Sequence, residues 1–436
     1  MQTDCFPDSL AAWPKGPVSE LAIVNPRYPM KKGREYPFVE MASVGENFGG
    51  ILQFEARSLE GSGLSRFKAG DTLFAKITPC PQNGKVAFVA SLPDAVGLGS
   101  TEFIILSPRP DAVPRFVYHL ACSHAVRGRA AARMEGSTGR QRVPEEVFTK
   151  RLLVPLPDGD EQAAIARILD AVDTVLERAR AAVERARELR QSLLASLLSN
   201  GVGQEGKVRR GRAGTGELVS TPLGRLPASW RLSIVDREFE LQNGFTLNAA
   251  RQARFKRRRY LRVANVQRDA LDLSDVQELE AHDDEFASRV LAEDDLLVVE
   301  GHADRMQIGR CARVTPEAAG ITFQNHLFRL RTRGAVVPAF ACMWLNSSYA
   351  QRFWNARCAT SSGLNTINQR TLKRLIVPVP STREQDAIAE LAGRQREHVE
   401  ALIAKQARIE QLKRSVMHDL LTGRVRVRDV AQAAAS

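Results

Sequence analysis

The chain has 436 residues, more than one ordinary domain needs, and 44% of them are hydrophobic, so sizeable cores can form. Lys and Arg number 62 against 50 Asp and Glu, and the net charge of +12 favours a polyanionic partner, of which nucleic acid is the commonest. The six cysteines form no CxxC pair and the seven histidines are scattered, which reads as a reduced, cytoplasmic protein without structural metal; no run approaches the ~20 apolar residues of a membrane span, and the opening MQTDCFPDSL has no signal-peptide pattern.

Residues 1–157 read as one compact mixed domain. Short β-branched and aromatic runs (Ala87 to Val89, Glu102 to Leu106) alternate with a helical stretch (Arg115 to Arg133), and glycine and proline punctuate both. Residues 158–200 carry a long helical pattern. Ile165, Ile168, Val172, Val175, Ala179, Ala182, Ala186, Leu189 and Leu193 recur at steps of three and four, the spacing of a coiled-coil seam. Asp158 or Asp160 suits its N-cap. Residues 201–216 form a linker, with the exposed composition KVRRGRAGTG from Lys207 to Gly216. Residues 217–380 are a second mixed domain, with strand-like Leu296 to Val299 and Leu327 to Leu330 and helical Ala339 to Asn355. Residues 381–423 make a second long helix with Ile388, Leu391, Leu402, Ile409, Leu412 and Val416 in its seam and Ser381 or Thr382 at its cap. Residues 424–436 form a tail that becomes Ala-rich at its end.

The chain is written twice. KRLLVPLP at Lys150 to Pro157 returns as KRLIVPVP at Lys373 to Pro380, an offset of 223. The offset holds through Glu161-Gln162 and Glu384-Gln385, Ile165-Ala166 and Ile388-Ala389, and Leu197-Leu198 and Leu420-Leu421. The globular parts align only weakly, with Tyr36 to Val39 laid on Tyr260 to Val263 and Gly84-Lys85 on Gly309-Arg310. The fold class is therefore mixed α+β: two globular domains separated by two long coiled-coil-like helices, as a pseudo-two-fold repeat whose helices lie antiparallel. A helix of about 39 residues spans ~58 Å at 1.5 Å per residue, more than a compact domain needs. Similar rods and different heads suit one device that binds two different things a set distance apart. On DNA, equivalent groove faces recur every ~34 Å.

This layout resembles the specificity subunits of type I DNA restriction-modification systems. The resemblance rests on VPLP…EQ…IA at Val154 to Ala166, VPVP…EQ…IA at Val377 to Ala389, MHDLLTGRVRV at Met417 to Val427, PLGRLPASW at Pro222 to Trp230 and NPRYPMKKGREYPFVEM at Asn25 to Met41. It covers nearly the whole chain. It implies two target-recognition domains, each reading half of a bipartite double-stranded DNA site. It implies docking of two methyltransferase subunits that use S-adenosylmethionine, and of restriction subunits driven by ATP with Mg²⁺. It implies no cofactor and no catalytic residue in this chain. It also implies that Leu421 to Val427 packs near the first domain.

Base reading needs Arg or Lys for guanine and Asn or Gln for adenine, and phosphate positioning needs cations, hydroxyls and backbone N–H groups. The densest basic run is Arg251, Arg254, Lys256, Arg257, Arg258 and Arg259; a solvated loop is the plainer reading of it. Late in each domain comes a small polar loop with a glycine: Gly136 to Arg142, with Ser137, Thr138, Gly139, Arg140, Gln141 and Arg142, and Ser361 to Asn368, with Ser361, Ser362, Gly363, Asn365 and Asn368. Gly139 and Gly363 stand 224 apart, and such loops let backbone approach a phosphate closely, although any connection can look the same. Lys76, Lys85, Asn265, Gln267, His302 and Arg305 are further candidates. Glu161-Gln162 and Glu384-Gln385 read as helix-start residues that suit the helix dipole.

Three rival readings are weaker. A self-contained methyltransferase needs an Asn/Asp-Pro-Pro-aromatic motif, and Asn25-Pro26-Arg27-Tyr28 has Arg in place of the second Pro. A metal-dependent nuclease needs converging acids and a lysine; Asp71 to Lys76 has one acid, and Asp294, Asp295 and Glu300 have no lysine following. A coiled-coil scaffold that never touches DNA leaves the net charge and the basic run unexplained.

Overall fold

The structure is a computed structural model and describes residues 2–7, 13–61, 63–137, 139–203, 206–209, 218–252, 255–361 and 363–427. Of the candidates above, Thr138, Arg254 and Ser362 lie outside the described residues, as do parts of the linker and of the tail. The chain divides into two units, Met1–Ala182 with Leu402–Ser436, and Val183–Ala401. Both long helices cross that division, α3 (Gly159–Asn200) and α9 (Thr382–Thr422), so each gives one half to each unit.

In the first unit the central sheet is antiparallel, in the order Ala22–Val24, Phe103–Pro108, Thr72–Ala75, Val86–Phe88. Its apolar residues alternate between two cores, as the pleat requires. Phe74, Val86, Ile104 and Leu106 pack with α1 (Pro114–Cys122), while Leu73, Ala75, Ala87, Phe103 and Ile105 pack with Val39 and Phe67 of a second sheet. That second sheet runs Glu55–Ser58, Glu35–Val39, Gly97–Gly99, Ser65–Phe67. The first VPLP element is the strand Leu152–Pro155, between Thr3–Asp4 and Lys15–Pro17. Pro114 suits the first turn of α1, which needs no N–H there. The helical stretch breaks once, at Ser123, whose hydroxyl accepts from Val126 N–H and starts α2 (His124–Ala131).

The second unit repeats this plan around the sheet Phe239–Asn243, Leu327–Thr332, Leu296–Val299, Cys311–Arg313. Its outer sheet is Gln277–Glu280, Arg257–Leu261, Thr322–Phe323, and its VPVP strand Ile376–Val379 pairs with Arg231–Ile234. The short helices α4 (Val235–Glu238) and α5 (Asp283–Arg289) precede α6 (Pro338–Leu345), α7 (Ser348–Arg357) and α8 (Gln369–Lys373). The register shows where the weak alignment slips. Phe38 lies opposite Leu98 and Tyr260 opposite Thr322, so Phe38, not Tyr36, matches Tyr260. A two-residue slip leaves the in–out alternation unchanged, and hydropathy is blind to it. The pairing of Gly84 with Gly309 holds, both at positive φ just before equivalent strands.

Asp158 and Ser381 are the caps, accepting from Glu161 and Glu384 N–H at 3.0 and 3.3 Å. The halves of α3 and α9 run antiparallel within each unit. In the first, Asp173 pairs with Lys413 and Arg180 with Glu410. In the second, Val202, two residues past the end of α3, reaches Glu384 at the start of α9. Leu420 and Leu421 join the first unit's core, as the family resemblance implied.

The seam is rotated by one residue from the spacing read above. Ile165 and Ile388 are buried and Ile168, Val172, Leu193, Leu391, Leu402, Ile409 and Val416 are half-buried, but Val175, Leu189 and Leu412 are exposed. The buried alternates are Leu169, Leu176 and Val183 on α3 and Ala392, Lys413 and Met417 on α9. Both frames share Ile165, Val172, Ala179, Ala186 and Leu193, and the apolar Val175 and Leu189 misled the choice. A lysine in the seam is invisible to apolar spacing. Here Lys413 is buried because Asp173 accompanies it. Leu176→Ala is expected to cost about 2–4 kcal/mol in denaturant titration and Val175→Ala less than about 0.5 kcal/mol; the reverse order would restore the first frame.

His119 on α1 is fully buried and bonds Asp170 at 2.7 Å, with Asp173 and Arg115 also facing it. Burial holds its imidazole below the ordinary value, against the pull of Asp170 and Asp173 and with help from Arg115. The unfolded chain therefore takes up this proton first, near pH ~6.5. Stability is expected to fall as pH drops from 7.5 to 5.5, and His119→Asn to flatten that slope in urea titrations. An unchanged slope would assign the pH dependence to other groups.

Candidate nucleic-acid interface

The two polar loops are one structural device used twice. In the first unit Glu135 bridges Arg142, and Ile77 bridges Arg142 from the other side. In the second unit the strands Ala359–Ser361 and Leu364–Thr366 form a hairpin, with Gly301 opposite Thr366. Ile77 and Gly301, Glu135 and Ala359, and Arg142 and Thr366 all stand 224 apart, so the hairpins have equal length. Gly139 and Gly363 both sit at the turn, with φ of 79° and 78° and open space beside them. Only glycine adopts that conformation readily.

The tips differ in chemistry. Ser137, Arg140 and Gln141 are exposed, and neither Arg140 nor Gln141 has a side-chain partner among the described residues. Arg142 is held by three hydrogen bonds to Glu102 at 2.8–3.1 Å, and those bonds hold the Glu102 carboxyl below its usual range. At the positions of Arg140 and Gln141 the second hairpin has Leu364, which is exposed, and Asn365, whose amide donates to Ala303 O at 2.9 Å. Asn368 caps α8 through Thr371 N–H. Nothing is described of Ser361's side chain.

The basic run is largely paired with acids from the neighbouring strand and α5. Arg251 makes a two-pronged bond to Glu285 at 2.8 Å, and hydrogen bonding to Arg251 holds Glu285 down at about 2. Lys256 and Arg258 share Asp283, and Arg257 reaches Glu278 at 3.5 Å. Arg259 is exposed with no ion pair among the described residues. The acids follow their partners by 21 to 34 residues, and only the antiparallel register of Arg257 with Glu280 brings them across. The sequence therefore shows more uncompensated charge here than the fold leaves.

Of the remaining candidates, Asn265 is buried, and its amide closes a turn by accepting from Arg262 N–H and donating to Asp272 and Asp275 carbonyls. Lys85 donates to Met41 O, Gln267 to Ala264 O, His302 accepts from Asp304 N–H, and Arg305 lies on the Cys358 sulfur. Lys76 is half-buried beside Glu102. Sequence reasoning missed Lys31 and Lys32. They are exposed and lie four and three residues before the strand Glu35–Val39, and Arg34, just before that strand, is by register the counterpart of Lys256 before Arg257–Leu261. The quartet Lys31 to Arg34 was the available signal.

The groups raised for catalysis are committed elsewhere. Asn25 accepts from Ile105 N–H and donates to Glu145. Asp71 is buried under Tyr28, and burial pushes its carboxyl up. Its equivalent Asp295 is clamped by Arg331 at 2.7 Å through two bonds. Among the described residues no group of three His, Cys, Asp or Glu side chains is placed to hold a metal ion, and no helix is long and apolar enough to cross a membrane.

No family model matches the chain. A curated relative, the EcoAI type I restriction enzyme specificity subunit of Escherichia coli, is 26% identical over 194 residues, 42% of this chain. The match spans only 33% of that relative's length. A solved structure described as the basis of complex assembly and conformational transition of the type I R-M system matches over 96% of this chain and 99% of its own, at 17% identity and a TM-score of 0.62. The type I S subunit from M. genitalium matches over 94% and 96%, at 15% identity and a TM-score of 0.50. The chain is similar to type I restriction enzyme specificity subunits, in sequence over 42% of its length and in fold over nearly all of it. The fold of these solved structures covers nearly all of this chain.

Proposed function

We propose that this chain reads a bipartite double-stranded DNA sequence for a type I restriction-modification complex. Each unit supplies one half of the recognition through its hairpin and its outer sheet. The carrying observation is the hairpin pair: same offset, same length, same positive-φ glycine, but Arg140-Gln141 on one tip and Leu364-Asn365 on the other. An equal frame with unequal tips is what two different half-sites require. The rods serve as docking faces for two methyltransferase subunits. Those partners supply S-adenosylmethionine chemistry, and restriction subunits supply ATP- and Mg²⁺-dependent cleavage. This chain is not an enzyme, and the structural duties of Asn25, Asp71 and Asp295 support that reading.

Methylome sequencing of a host expressing the chain with its neighbouring methyltransferase tests this. Modified adenines at a split motif with a fixed gap, present only with this chain, are the expected result. No new methylation from an assembled complex would favour a scaffold that does not read DNA. The hairpins make a finer prediction. Arg140→Ala with Gln141→Ala should relax one half of the motif, at about 1–3 kcal/mol of discrimination per lost base contact, and leave the other half intact. Relaxation of both halves together would contradict separate reading.

A further inference from the structure

Phe255 is 92% exposed, the most exposed large hydrophobic side chain among the described residues. Its backbone is nonetheless held. The N–H groups of Phe255 and Lys256 both donate to the Glu280 carboxylate, at 3.0 and 2.8 Å. A pinned main chain carrying an unsupported ring presents that ring to something outside the fold. Two residues later begins the strand Arg257–Leu261, with Arg257 and Arg259 exposed. Asp283 serves both Lys256 and Arg258, and Arg259 has no ion pair among the described residues. The ring therefore leads straight into a strand with exposed arginines, Arg259 among them unpaired, which suits a polyanion with flat apolar faces inside it.

We infer that Phe255 is a wedge that stacks on an unstacked base step of the second unit's DNA half-site. The inference rests on the DNA-reading function proposed above. Aromatic side chains stack on bases with little regard to sequence, and apolar wedges between steps kink the duplex. The first unit has no ring at the matching position. By strand register Glu35 matches Arg257, so the residue two before it, Gly33, matches Phe255; it is exposed and at a φ of 78°. The distortion is therefore one-sided, confined to one half-site of the pair.

The assembled complex of this chain with its methyltransferase, on duplexes carrying the methylome-derived target with 2-aminopurine at successive positions, tests this. Wild type should raise fluorescence at one step of one half-site only. Phe255→Ala should abolish that rise and weaken binding about ten-fold, while Phe255→Trp keeps both. Equal signal and affinity in Phe255→Ala would overturn the wedge while leaving DNA reading in place. So would a Phe255→Ala chain that no longer assembles with the methyltransferase, because the ring would then belong to a protein interface. A wild-type complex that binds no DNA would overturn both the wedge and the reading beneath it.

Discussion

Two buried side chains at the start of each rod hold the rest of the architecture in place. Gln162 accepts from Val113 N–H, the residue that caps α1, and donates to Pro157 O. Gln385 accepts from Val337 N–H, which caps α6, and donates to Ala335 and Pro380 carbonyls. One residue earlier, Glu161 receives Val427 N–H and the Arg426 guanidinium, and Glu384 receives Val202 N–H and Arg209. The glutamine ties the rod to the globular part behind it. The glutamate ties it to the chain emerging from the other rod. Buried polar groups are costly when unpaired, roughly 1–3 kcal/mol each, so these bonds fix an orientation that apolar packing alone would leave free to slide. The dipole of the helix start favours the glutamate, but the geometry gives it a larger task than the sequence suggested.

That constraint explains why the rods and the ends of the VPLP and VPVP strands keep one offset while the heads drift. A substitution at Gln162 breaks three elements at once. A substitution at Arg140 touches only a hairpin tip. The tip can change freely because Gly139 and the bridge from Glu135 to Arg142 carry the backbone shape. Separation of frame from reading surface is a physical property of the hairpin. Its backbone pairs are satisfied internally, and its outward side chains owe nothing to the core.

The repeat, the rods, their caps and the two hairpins were legible because each leaves a local or periodic mark. Other features left none. The choice between Val175 and Leu176 as a seam residue depends on the lean of the helix, and both spacings fit the same apolar residues. The match of Phe38 with Tyr260 depends on parallel pairing to strands about sixty residues away. The basic run looked free because its acids arrive on the next strand; Glu278 and Glu280 face it only through register. Asn265 had base-reading chemistry by type, but a type says nothing of whether the amide is already spent on a turn.

The same logic limits how net charge is read. A total of +12 suggests a polyanionic partner. Within the second unit the strand Arg257–Leu261 binds its own acids, and its leftover charge is small. On the proposed DNA-reading function, affinity then cannot rest on that strand's bulk charge. It must draw on cations that the fold leaves open, such as Lys31, Lys32, Arg140 and Arg259, spread over the two units. A DNA reader of the proposed kind would gain little from non-specific attraction at any one site, and its selectivity would fall to the few side chains that reach the bases.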